Sequence, residues 1–184
     1  NGLTISAFAR GALVLGRNDY RDAARRAADF VLTRMRRSDG GLWRTCKDGR
    51  ARHLGVLDDY AFVVQALLDT YEATGEIRWM DAAIELQRYA DEHFFDTEAG
   101  GYFGTSHTHE ALLARTRPLY DGAEPSGNSV AILNLLRLAE LTGDDAYRRR
   151  AEAALAAFAP ALSANPNVAP KMLSALDFLL DEPF

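Results

Sequence analysis

A chain of 184 residues with 26 acidic and 21 basic side chains carries a net charge of −5, so a broad nucleic-acid surface, which needs a basic patch, is not expected. Its single cysteine, Cys46, excludes an internal disulfide and a cysteine-based metal cluster, and no apolar run is long enough to span a bilayer. Nearly half the residues are hydrophobic, dominated by alanine and leucine rather than β-branched runs, which points to helices around one sizeable core. No signal-peptide pattern opens the sequence, and a cytoplasmic setting fits. The first residue is Asn1 and an apolar helix begins at once, as expected of a cut end.

Residues 3–15 carry one charge, Arg10, and are apolar nearly all round; Gly16 ends the run. Residues 19–36 differ, with Tyr20, Ala23, Ala24, Ala27, Phe30, Val31 and Met35 at helical spacing and the other faces charged. Asn18 or Asp19 can cap that second helix. The alternation returns in an apolar helix over 60–73 and an amphipathic one over 77–94. It returns again in an apolar helix from Val130 to Leu141 and an amphipathic one over 145–159. A seventh helix is expected at about 170–180.

The hinges align as VLGRNDY (14–20), ATGEIRW (73–79) and LTGDDAY (141–147), each with an aromatic four positions after its glycine. The pattern predicts a repeat of helical hairpins in which apolar inner helices alternate with amphipathic outer ones.

Two long linkers separate the hairpins, and both carry a Gly-Gly followed by aromatic residues: Gly40, Gly41, Leu42, Trp43 and Gly100, Gly101, Tyr102, Phe103. In the first, residues 42–46 and 50–54 can pair as a short β-hairpin around Asp48 and Gly49, a favoured two-residue turn. The second linker, 95–125, is too long to be an idle connection. Inner helices start after the long linkers and outer helices after the tight turns. Every long linker is therefore expected at one mouth, together with Asn1, Asp58, Asp59, Tyr60, Asp121, Glu124, Ser126 and Asn128.

Asn1, Gly2, Leu3 and Ser6, the run LDDYA (57–61) and above all DGAEPSGNS (121–129) resemble the C-terminal region of the YyaL-like thioredoxin-domain-containing proteins, the family of a mammalian spermatogenesis-associated protein. That region is similar to the (α/α)6 toroid of N-acylglucosamine 2-epimerases and six-hairpin glycosidases. The resemblance implies an all-α fold: a partial (α/α)6 toroid of inner and outer hairpins in one domain, 1–184, as a fragment of a longer toroid. The family's thioredoxin-like domain would lie upstream, so no redox role follows for these residues. The epimerases' catalytic histidines find no matching motif here. Three and a half hairpins leave apolar flanks open, where another copy or further segments can pair.

The acids at the mouth carry the functional expectation. Glycoside hydrolysis uses two carboxyls, and epimerisation uses an acid/base pair flanking an acidic C–H bond. Asp58 or Asp59 with Glu124 can supply either. Asn1, Asp121, Ser126 and Asn128 are the polar positioners, and Trp43, Tyr60 and Tyr102, with Phe103 nearby, can stack on sugar faces. The bland counterpart is that the acids cap helix starts and the rings anchor the linkers.

His107 and His109 alternate as on one strand face, but no further ligand motif accompanies them and no metal is expected. His53 reads as a hydrogen-bonded loop histidine, His93 as a cation at a helix end, and Cys46 as inert. No P-loop, dinucleotide fingerprint or serine-nucleophile motif is present, so no cofactor is expected. The expected function is an acidic, carbohydrate-type cleft taking a small saccharide. The alternative is a non-catalytic scaffold that assembles through open toroid edges.

Overall fold

The computed structural model describes residues 1–110 and 114–181; residues 111–113, inside the second linker, lie outside the description. Its helices are α1 (Gly2–Leu15), α2 (Asn18–Arg34), α3 (Leu57–Thr74), α4 (Ile77–Phe94), α5 (Gly127–Thr142), α6 (Asp145–Ala164) and α7 (Pro170–Leu180). The strands β1 (Trp43–Lys47) and β2 (Arg50–Leu54) form one antiparallel hairpin in which Lys47 faces Arg50 and Trp43 faces Leu54. The chain falls into two compact units, Asn1–Ala90 and Asp91–Phe184, with the boundary inside α4.

All three tight hinges end their inner helix in the same way. Gly16, Gly75 and Gly143 sit at φ 63, 70 and 73°, and a side chain there would meet nothing. They are glycines because the left-handed turn that stops a helix disfavours any Cβ.

In the first unit α1 lies against α2 and α3. Gly2 lets the α1 backbone approach α3 closely, since a Cβ there would overlap the Phe62 carbonyl. Ile5, Ala9 and Ala12 fill the contact, and Ser6 donates a hydrogen bond to the buried Asp69 carboxylate while accepting one from Gln65. Ion pairs tie α2 to α4 and to the hinge before it: Arg78 to Asp29 at 2.5 Å and Arg25 to Glu76 at 2.9 Å. Not all of α1 is enclosed: Leu13, Val14 and Leu15 at its end are exposed, Val14 by 82%.

In the second unit α5 packs on α6 and α7. Its Val130, Ile132, Leu135, Leu136 and Leu138 are all buried, as a helix with almost no polar face requires.

Two local expectations are corrected. The sequence pattern ends the sixth helix at residue 159, before Pro160, but α6 continues to Ala164. Proline there removes one backbone donor, and the turn beyond it is held by the buried Leu162. At the start of α2 neither Asn18 nor Asp19 caps. Asp19 instead pairs with Arg17 at 2.7 Å, the residue in the cap position.

Candidate functional site

Within the first unit the beginnings of α1 and α3, the end of α2 and the start of β1 meet around a cavity of about 60 Å³. Asn1, Trp43, Arg44 and Asp59 supply its polar and aromatic lining, and Met35 and Phe62 part of its apolar wall. Ligand sites typically enclose roughly 300–1,000 Å³, so this cavity has room for a substituent and not for a whole six-membered ring.

Asp59 is placed by local sequence. It stands third in α3, and its carboxylate reaches back to accept the Val56 N–H at 2.9 Å, the acidic half of a capping box. Arg44 comes from the neighbouring strand to within 3.7 Å of the same oxygen. Burial raises the Asp59 carboxyl above its ordinary range, and the Val56 N–H and Arg44 only partly offset this, while the adjacent Asp58 charge adds to it.

The sign of the consequence is therefore reversed from that of a salt-bridged acid. The neutral carboxyl suits the fold, and the stability it contributes, present at low pH, is lost as pH rises through the raised folded value. Asp59→Asn keeps an acceptor for Val56 and is expected to be at least as stable as the parent at pH 7. Denaturant melts of both proteins across the acid range check this: the parent should lose stability relative to the variant as pH rises.

Two expected ligand walls turn out to be loop anchors. Tyr60 is 1% exposed; its hydroxyl accepts the Leu42 N–H at 2.8 Å and its ring stacks on Tyr89 at 5.2 Å. Burial pushes its phenol above the ordinary tyrosine range. Tyr102, also fully buried, donates its hydroxyl to Asp91 at 2.5 Å, and Arg150 holds the other oxygen of that acid. Neither ring offers a face to a sugar. Trp43 is half-buried on the cavity rim and keeps that role open.

The two Gly-Gly linkers make the same backbone turn. Arg37 N–H donates to Gly41 O and Trp43 N–H to Met35 O. In the second linker Asp96 N–H donates to Gly101 O and Phe103 N–H to Phe94 O, every bond being 2.8 Å. Leu42 is then held by Tyr60, and Tyr102 by Asn128, so each linker is pinned by a polar side chain from the start of the following inner helix.

The remaining expected positioners lie in the second unit and bind protein groups. Asn128, wholly buried, accepts the Tyr102 N–H at 2.7 Å and donates to Tyr102 O at 2.9 Å and Pro118 O at 2.7 Å. Expected among the ligand positioners, it clamps the linker through these three bonds. Asp121 accepts from Ser126 N–H and Ser129 Oγ through one oxygen, at 2.8 Å each, and from Lys171 N–H at 2.7 Å through the other. It thereby ties the beginnings of α5 and α7 together. Ser126 caps α5 by accepting the Ser129 N–H. Glu124, expected as a second carboxylate, is exposed in the turn before α5.

His107 stacks on His93 at 4.9 Å, and His109 Nδ1 accepts the Ser106 N–H; the two expected to share a strand face sit in a turn instead. Sequence reasoning missed Arg44, whose only signal is that it follows the Trp43 of the linker motif.

The chain matches the N-acylglucosamine 2-epimerase (GlcNAc 2-epimerase) family over residues 4–169. It is 40% identical over 190 residues to spermatogenesis-associated protein 20 of Rattus norvegicus, over 96% of this chain and 24% of that protein, and so spans about a quarter of the relative's length. The solved GH76 alpha-mannanase of Bacteroides thetaiotaomicron superposes with a TM-score of 0.72 at 18% identity, covering 97% of this chain and 50% of the other. Cellobiose 2-epimerase from Bacillus thermoamylovorans gives 0.69 at 18% identity, over 84% of this chain and 42% of its own. Both are (α/α)6 toroid enzymes, and the helical hairpins described here have that fold. The chain belongs to the N-acylglucosamine 2-epimerase family.

Proposed function

We propose that the cavity at the beginnings of α1 and α3 is part of a carbohydrate site of epimerase- or glycosidase-like type. The observation that carries this reading is the meeting of a partly buried carboxyl, Asp59, with an aromatic edge, Trp43, and the polar Arg44 and Asn1 around one small cavity. A carboxyl whose proton is retained above the usual range is suited to donate it to a leaving oxygen, or to return it to a carbon after abstraction. Both reactions need a second group, and Asp58, beside it in α3, is the candidate within the same unit. The neighbours' names, a mannanase and a cellobiose epimerase, suggest neutral hexose units as first ligands to try.

Calorimetric titration with mannose oligomers, cellobiose and N-acetylglucosamine tests the reading. One of them is expected to bind, with Asp59→Asn weakening it by about tenfold, the size of one lost hydrogen bond. Asp58→Asn distinguishes a second carboxylate from a bystander by turnover of the ligand that binds. Binding equal in the parent and Asp59→Asn, or no binding at all, contradicts it.

The exposed end of α1, with Leu13, Val14 and Leu15, favours a second reading as an assembly scaffold. Sedimentation at rising concentration separates the two, since a persistent monomer counts against assembly with another copy.

A further inference from the structure

Beyond the cavity, β1 continues into a group of cations that the site as described does not use. The β1–β2 hairpin carries Arg44, Lys47, Arg50 and Arg52 against the single acid Asp48 at its tip, on a chain whose net charge is −5. Lys47 faces Arg50 across the ladder and Thr45 faces Arg52, so the side chains of Lys47, Arg50 and Arg52 share one face of the ribbon. Like charges directly opposite each other destabilise a two-stranded ribbon.

Several arginines elsewhere are matched with acids, as in Arg17 with Asp19, Arg36 with Glu85 and Arg148 with Glu140. Among the described residues no acid pairs with Lys47, Arg50 or Arg52. The three border an open concavity of about 610 Å³ with Thr45, Asp48 and His53. The strand that builds it begins with Trp43 and Arg44 on the rim of the small cavity, and its four steps span roughly 13 Å.

We propose that this face of the hairpin binds the anionic substituents of an acidic saccharide, an oligomer bearing carboxylates, whose neighbouring sugar reaches the cavity at Asp59. The inference rests on the carbohydrate reading of that cavity and names its substrate class. Guanidinium groups hold carboxylates through paired N–H donors, and an anion between Lys47, Arg50 and Arg52 relieves their mutual repulsion. The cluster also raises the rate at which an anionic ligand finds an acidic protein.

The test compares a galacturonate oligomer, a neutral mannose oligomer of equal length and poly-glutamate of equal charge. Each is titrated against the full chain and against Lys47→Gln/Arg50→Gln/Arg52→Gln at low and high salt, with circular dichroism confirming the fold. The galacturonate oligomer is expected to bind at least about tenfold more tightly than the neutral one at low salt, with the advantage shrinking as salt screens exposed charges. The triple variant should lose that advantage and bind the neutral oligomer as the parent does.

Equal binding of charged and neutral oligomers, or an advantage that survives the triple substitution, overturns the inference while leaving the cavity reading intact. Poly-glutamate bound as tightly as galacturonate overturns it too, because charge alone would then be recognised. If no saccharide binds, charged or neutral, the cavity reading fails and this one fails with it.

Discussion

Asn128→Ala is expected to lower the melting temperature by roughly 10 °C, because it strands the buried backbone N–H and carbonyl of Tyr102. Asn128 is the second residue of α5 and is wholly buried. Its amide closes a two-way pair with the backbone of Tyr102, a residue with no exposed surface, and spends its second N–H on Pro118 O. Each buried backbone group left unpaired costs about 1–3 kcal/mol, so losing the pair costs roughly 3–5 kcal/mol out of the 5–15 kcal/mol typical of a whole domain.

Asn128→Asp is expected to be no better, since it keeps the acceptor but removes both donors and buries a charge. Scanning calorimetry on the three proteins checks the ranking. A shift of only a degree or two for Asn128→Ala would mean that the linker is held by something else, the Tyr102 hydroxyl on Asp91 being the first alternative.

Asp121→Ala is expected to cost roughly 3 kcal/mol, in keeping with hydrogen bonds to a charged group at about 1.5–3 kcal/mol each, less what water restores at a half-exposed site. The carboxylate spans two helix beginnings, taking Ser126 N–H and Ser129 Oγ of the α5 start on one oxygen and Lys171 N–H of α7 on the other. Negative charge is favourable at both places because each presents unpaired amides.

Asp121→Asn separates the two halves of this role. One amide oxygen still serves Ser126 and Ser129, whereas the NH2 group cannot accept from Lys171, so about half the loss is expected. Hydrogen exchange gives the residue-level check: the Lys171 amide should exchange faster in both variants, and the Ser126 amide only in Asp121→Ala. Unchanged protection at Lys171 in Asp121→Asn would contradict the bridging role.

The scaffold was readable because its signals are local. Hinge glycines at positive φ, apolar runs without a polar face and the Asp48–Gly49 turn each dictate conformation within a few residues, and the helices and hairpin follow them closely. Pro160 misled because proline's penalty is also local, while the packing of Leu162 that outweighs it comes from elsewhere in the fold.

The site was readable only as a neighbourhood. Sequence placed polar and aromatic residues at inner-helix starts, but their roles depend on which backbone groups come within 3 Å, and that is a tertiary matter. Tyr60 and Tyr102 carry the same aromatic signature as Trp43, yet two of the three are spent on linkers. Arg44 gave no signal of its own because its partner Asp59 is fifteen positions away and on another element.

The two tryptophans allow a direct test of where a ligand sits. Trp43 stands half-buried on the rim of the Asp59 cavity, whereas Trp79 has no exposed surface and lies under Arg78 at 3.7 Å. In an amide and indole NMR titration with the tightest-binding saccharide, the Trp43 indole signal should move saturably together with the Asp59 and Phe62 amides, while the Trp79 indole stays fixed. Saturation of binding with the Trp43 signal unmoved would place the ligand elsewhere and contradict the account.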